Sequence, residues 1–529
     1  MPAVVTDQFR IVNAGNFVDS VLDSNNSYYV FLGLPNPSSS GFGRTTTQNP
    51  SWPYDPTDNQ QYLTHYRDTS LFGKKLNSSN IRRVVKKHNW VSNTRYDIYR
   101  HDYNEQTNQA PNSKTGSLYK TNYYVITSEF KVYICLSNGG SGDPNSTDAK
   151  GVESLDEPTF TDLEPAAAGT QDPYVWKYLF TVSPSDVVKF DSTEYIVLPN
   201  DWSTSTDSQI QAVREAGDSD INKNQIRQVY IENSGAEYGP DNTYPCDILG
   251  DGSGAKVNVT VVGGKITETL VTSGGSGYTF GMVDLSDLDN NVTTRAKLIP
   301  IIPPSKGHGF DIYTELGADK VLVYSRFDDS TKDFPTDTHF GQVGILKNPL
   351  DSSNSGILTT SQFSSLFAAK LNTDPGLTPE SAYDNLIGVS IGQTTSSGNL
   401  AKGIVASYDR DTRVLKYIQD RSSHLNQTTN DNTDYNGVEN SAKVLSFESG
   451  QDIFAIPGGS VSFSSNIENF TGISTTVNNK LVNLGVQFTN GLANPEINKK
   501  TGNVIYIDNR KEVERNIRQK EDVKIILEF

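Results

Sequence analysis

Six histidines, two cysteines and several glycine- and acid-rich turns are the groups in this chain that could hold a phosphate or a metal, or serve as acid and base. Gly250-Asp251-Gly252-Ser253-Gly254-Ala255-Lys256 has the glycine content of a phosphate loop. A Walker A loop needs four residues between its first glycine and a Gly-Lys-Ser/Thr ending, and a helix after it whose N-terminal amides meet the phosphate. Neither condition holds, so the segment reads as a β turn. The dinucleotide fingerprint fails for the same reason, because no βαβ unit surrounds these glycines. Asn432, Asp434, Asn436 and Gly437 have the alternating spacing of a calcium loop, but Lys443 stands where a bidentate carboxylate belongs. His65, His88, His101, His308, His339 and His424 include no pair at helical ligand spacing. His88 and His101 flank an aromatic segment and read as packed or hydrogen-bonded rings. No pair of acids is singled out as a glycosidase dyad. The expectation is a protein with no catalytic residue, no metal site and no cofactor.

The segments around these groups read mostly as strands. Val4–Ile11 is strand-like, and Tyr28–Leu34 is a strong buried strand, followed by a Pro/Ser/Gly-rich loop to about Pro56. Asp58 is placed to cap a short helix carrying Tyr62, Leu63, Tyr66 and Leu71. Tyr123–Thr127 and Lys131–Leu136 predict a hairpin with its turn at Ser128-Glu129-Phe130. From 228 to 298 the chain turns glycine-punctuated, and Ser234-Gly235-Ala236-Glu237-Tyr238-Gly239 is echoed by Gly275-Ser276-Gly277-Tyr278-Thr279-Phe280. Two such turn-plus-tyrosine pieces around a hairpin predict a small inserted β module. Residues 299–355 return to the aromatic, strand-rich character of residues 1–227. The stretch 356–490 departs again, with a helix predicted over Ser361–Leu371, a hairpin around Asp409–Thr412 and an exposed polar tract at 421–440. In 491–529, Val523, Ile525, Leu527 and Phe529 share one face at period two, as a strand locked into a sheet requires.

Composition agrees. At 529 residues the chain is too long for one core, and roughly two to four compact units are expected. With 26 Tyr, 22 Phe, 42 Gly, 24 Pro and only 2 Met, it favours strands and turns over helical bundles. The fold class is therefore all-β. A net charge of −17 argues against a nucleic-acid partner, which would require a basic footprint. The local exception, Arg82-Arg83-Val84-Val85-Lys86-Lys87-His88, reads as a solvated strand face or a contact for an acidic partner subunit. Cys135 and Cys246 are too few for a secreted disulfide framework, and Cys135 sits in an apolar run as a small buried hydrophobe. No signal peptide and no apolar run of about 20 residues is evident, which predicts a soluble protein made in a reducing cytoplasm.

Several aromatic blocks carry a resemblance. Lys87-His88-Asn89-Trp90 through Thr94-Arg95-Tyr96-Asp97-Ile98-Tyr99 resembles a basic-Asp-Trp, Thr-Arg-Tyr, Pro-Tyr segment. Tyr174-Val175-Trp176-Lys177-Tyr178-Leu179-Phe180 and Glu194–Pro199 resemble Tyr-Val-Trp-Glu-Tyr-Leu-Phe and Glu-Tyr-Ile-Val-Val-Pro blocks. Phe340–Leu350 is similar to an aromatic, Gln-Ile-x-Ile, Asn-Pro-Leu strand. Ile505–Arg510 with Ile525–Phe529 is similar to Ile-Tyr-x-Glu-Asn-Arg and a terminal Ile-Leu-Phe-Thr-Phe. These ordered blocks resemble those of the gene-product-eight family of baseplate wedge proteins from T-even-like contractile-tailed bacteriophages. This chain resembles an enlarged, cyanophage-type member whose inserts at 228–298 and 356–490 have no counterpart in the short form.

The resemblance implies two β-sandwich domains in the core (1–227, 299–355 and 491–529) and a homodimer bound to other baseplate wedge subunits. It implies location in the virion tail baseplate after synthesis in the host cytoplasm, and no enzymatic activity, cofactor or membrane insertion. Trp90, Arg95, Tyr96, Tyr99, Trp176 and Tyr178 are candidate interface anchors, because large rigid side chains dominate association energies. The competing reading places the aromatics in the sandwich cores. An alternative function, motivated by the glycine–tyrosine pieces, is a virion protein that binds or cleaves carbohydrate at the host surface.

Overall fold

The computed structural model describes residues 5–34, 37–38, 41–42, 66–143, 145–217, 225–288, 292–328, 339–419, 445–457, 461–514 and 519–529. The chain is mostly β, built from antiparallel sheets with a few short helices. It divides into two compact units, one comprising Met1–Val18, Ile81–Val323 and Ile525–Phe529, the other Asp19–Asn80 and Tyr324–Lys524.

The first unit has an aromatic interior built on the sheet Tyr124–Ile126, Lys131–Ser137, Val175–Thr181 and Ala166–Ala167. Cys135 lies opposite Trp176 and Tyr133 opposite Tyr178. Residues 132–135 and 176–180, apolar or aromatic except for Lys177, are buried without interruption, as in a sheet covered on both faces. The turn expected at Ser128–Phe130 is present, with Phe130 at φ 59° and its amide donating to the Thr127 carbonyl at 3.0 Å. A second sheet pairs Tyr195–Val197 with Lys86–Val84 and Lys320–Val323 with Val84–Ile81. In the strand Glu521–Glu528 the positions Glu521, Val523, Ile525 and Leu527 alternate with exposed neighbours, the expected period of two.

Residues 226–302 of the same unit have their own apolar cluster, including Ile231, Ile248, Val257, Val259, Ile266 and Tyr278. The four-stranded sheet Lys265–Ser276, Ser253–Val262, Asn242–Gly250 and Gly281–Val283 supplies half of its buried residues. Ser253–Val262 alternates buried with exposed positions, so this sheet covers a core on one face only. At its base Val229–Asn233 pairs with Lys297–Pro300. There Arg100, 2% exposed, forms a forked pair with Asp102 at 2.8 and 2.9 Å and lies 4.5 Å from the Tyr230 ring centroid.

The second unit centres on the fully buried strand Tyr28–Gly33, third in the five-stranded order Gln362–Ser364, Ser70–Lys75, Tyr28–Gly33, His339–Lys347, Asn503–Glu514. Gly344 pairs with Phe31, and a Cβ there would lie 2.3 Å from Phe31 Cζ, so only glycine fits. A seven-stranded sheet contains the hairpin Leu400–Asp409 and Val414–Ile418, with its turn where the sequence places it.

Three local expectations are corrected. Val4–Ile11 is not a strand: Asp7–Leu22 is a helix whose buried residues Ile11, Ala14, Val18 and Val21 recur at three- and four-residue intervals. Ser361–Leu371 is not a helix. It holds two strands, Gln362–Ser364 paired to Ser70–Lys75 and Phe367–Lys370 paired to Val414–Ile418, so long-range pairing overrides local propensity. Of the helix expected after Asp58, the described end at residues 66–69 is helical and includes Tyr66, Leu71 belongs instead to the strand Ser70–Lys75, and the rest lies outside the described residues. The calcium-like tract at Asn432–Lys443 also lies outside them.

Candidate functional site: a basic cavity under the aromatic sheet

The aromatic segment 174–180 builds the interior, and within it Lys177 is the one charged residue. Lys177 is 3% exposed. Its Nζ donates to the carbonyl of Leu163, and among the described residues it has no carboxylate at ion-pair distance. Burial pushes its pKa down, since desolvation penalises the ammonium form.

Lys177 lines a small cavity of about 40 Å³ together with Leu136, Pro165, Arg227, Gln228 and His308, among others. His308 is fixed from behind. Its Nδ1 lies 2.5 Å from Glu315 Oε1, the Glu315 side chain is 1% exposed, and Oε2 accepts the Gly309 amide at 2.8 Å. Tyr99 packs edge-on against the imidazole, 4.7 Å between centroids. The Glu315–His308 contact orients one ring nitrogen and leaves Nε2 without a hydrogen-bond partner among the described residues. Arg227 donates Nη1 to Glu164 Oε2 at 2.9 Å and keeps its other donors. A larger cavity of about 590 Å³ shares Leu136, Pro165, Arg227 and Gln228 with the small one and continues along Gly139, Val175, Tyr230 and Thr269.

This arrangement can bind and orient. No serine, threonine or cysteine lines the small cavity beside the Glu315–His308 pair. No group of three or more His, Cys, Asp or Glu suited to a metal occurs among the described residues. No helix there is long and apolar enough to cross a membrane.

No protein-family model matches this chain, and no curated protein does.

The six candidate anchors fall elsewhere than at an accessible surface, with two exceptions. Tyr96 (2% exposed), Tyr99 (7%), Trp176 (0%) and Tyr178 (1%) are core residues. Trp176 stacks on Tyr174 at 5.3 Å and meets Tyr96 edge-on at 5.7 Å, while Tyr178 faces Tyr133. Burying these rings inside one chain leaves them nothing to offer a partner. Trp90 and Arg95 are half-buried, and Trp90 Nε1 donates to Ser154 Oγ at 3.1 Å.

The basic run, apart from the exposed Lys86, is used internally. Arg82 pairs with Asp186 at 2.8 Å, Arg83 lies 3.7 Å from the Tyr313 ring centroid, and Lys87 pairs with Asp191. His88 packs edge-on against Tyr124, and burial with the nearby Lys86 charge lowers its pKa from 6.5 to about 4. His101 Nδ1 accepts the Ile302 amide. Lys256 of the glycine turn pairs with Asp247 at 2.9 Å, as a hairpin residue and not a phosphate ligand. Both cysteines are buried, and burial raises both thiol pKa values, that of Cys246 to about 11.

Lys177, Arg227 and His308 went unassigned in the sequence. One signal was there to find: a lysine inside an otherwise apolar strand must be neutral, paired or bound to something.

Proposed function

We propose that this chain is a structural subunit of a bacteriophage tail baseplate wedge, working by association with a second copy of itself and with neighbouring wedge subunits. The observation that carries this reading is the ordered series of blocks resembling the wedge family, from Lys87–Tyr99 through Ile525–Phe529. Its chemistry supports the same reading. The histidines at 88 and 101, the cations Arg82, Arg83 and Lys87, and the two thiols are engaged in packing or pairing within the chain. Its place is then the virion baseplate, with assembly in the host cytoplasm and no catalytic step.

The carbohydrate alternative rests on the glycine–tyrosine pieces. Tyr238 and Tyr278 are 5% and 1% exposed, and their hydroxyls bond to the backbone of Ala296, and of Ile248 and Ala255. Neither ring is free to stack on a sugar.

Sedimentation of the purified chain at micromolar concentration, alone and mixed with candidate wedge proteins, tests the proposal. A dimer that co-sediments with them is expected. A stable monomer that joins no complex would sink the reading.

A further inference from the structure

The cavity beneath the aromatic sheet has an unusual charge pattern: Lys177, Arg227 and His308 line it and no carboxylate does. Chain-wide, the balance is the opposite, at −17. A buried ammonium with one backbone acceptor costs several kcal/mol unless it is neutralised or meets an anion. Lys177 has two N–H donors left after Leu163, and Arg227 keeps the donors not given to Glu164. At about 40 Å³ the space admits about three water-sized groups, the size of a carboxylate head.

We propose that this cavity is a binding site for a single carboxylate or similarly small oxyanion, held by Lys177 Nζ and Arg227, with Gln228 and the His308 ring completing the wall. The anion supplies a direct counter-charge, since Glu164 and Glu315 act on Lys177 only from beyond ion-pair distance. Glu315 keeps the imidazole in place from the opposite side. Lys177 sits on the continuous strand Val175–Thr181 and His308 is braced by a buried acid, so the donors are held before the anion arrives. The carboxylate can come from a free small acid or from an acidic side chain of a peptide lying in the adjoining 590 Å³ cleft. The proposal concerns the isolated chain and stands or falls separately from the wedge assignment.

Calorimetric titration of the full chain with acetate, and separately with acetyl-Gly-Asp-Gly-amide, tests it, with thermal melts in parallel. Acetate is expected to bind at about millimolar Kd and to raise the Tm. Lys177→Met should weaken that binding at least about tenfold, the effect of losing a charged hydrogen bond. In anion-free buffer the same variant should be at least as stable as the native chain, because a thioether of similar length replaces an unpaired ammonium. Should Lys177→Met not fold, Arg227→Gln at the cavity rim gives the same readout of affinity. A peptide that binds tenfold or more tightly than acetate assigns the site to a docked acidic segment; acetate binding without peptide binding assigns it to a free acid. No heat and no Tm shift with acetate at about 100 mM, or equal acetate affinity in native and Lys177→Met chains, overturns the proposal.

Discussion

Two regions of the first unit solve the same problem differently. Around Tyr174–Phe180 the strands are buried on both faces, and interlocking aromatic rings fill the space between layers. In the 226–302 region aliphatic residues alternate with exposed ones, and only one face of the sheet is covered. The first region carries much of the sequence signal, and its rings are used in packing. The second presents a sheet face to solvent, with Val262, Leu270, Leu249 and Met282 each at least half exposed among polar neighbours. An aromatic-rich block is therefore poor evidence for a contact surface when its residues fill both sides of a strand.

The contrast can be broken by substitution. Trp176→Ala removes a 0% exposed ring stacked on Tyr174 and should cost about 3–5 kcal/mol in denaturant unfolding. A cost under about 1 kcal/mol would mean that the interior is not tightly interlocked. In the glycine-rich region, Tyr278→Phe strands the Ile248 carbonyl and Ala255 amide and should cost about 1–3 kcal/mol by the same measurement. Each region also holds one free thiol. If the single-faced sheet opens more readily than the two-faced one, Cys246 will react with a thiol reagent at least about tenfold faster than Cys135, read by peptide mapping. Equal rates would show one cooperative opening.

Acid sharpens the picture further. His88 has a folded pKa of about 4 against 6.5 when unfolded, so the unfolded chain binds the extra proton. Its contribution is fully present above pH 6.5 and is lost as pH falls toward 4. Stability measured across that window should therefore decline less steeply in His88→Phe than in the native chain; parallel curves would place the titration elsewhere. Smallest of all, Leu270→Ser on the open face should stay within about 0.5 kcal/mol of native.

Much of the architecture was legible because strand periodicity is local. The turn at Ser128–Phe130, the hairpin around Asp409–Thr412 and the alternation from Val523 to Leu527 are all set by a few adjacent residues. Two elements misled for opposite reasons. In Asp7–Leu22 the apolar spacing becomes helical only when Ala14, Val18 and Val21 are counted with Ile11, and Asn13, Gly15 and Asn16 are weak helix formers. In Ser361–Leu371 the deciding partners, Ser70–Lys75 and Val414–Ile418, are far away in the chain. The cavity was illegible for that second reason: Lys177, Arg227 and His308 meet only through the fold.

The clasp at the foot of the glycine-rich region has one more consequence. Val229 lies directly across from Pro300, and the Ile301 amide donates to the Gln228 carbonyl at 2.9 Å, so the chain leaves and returns at nearly one point. Some seventy intervening residues could thus be swapped for a two-residue hairpin loop without stretching the scaffold that carries them. Such a graft point lets a lineage exchange what it displays outward while keeping the frame beneath untouched.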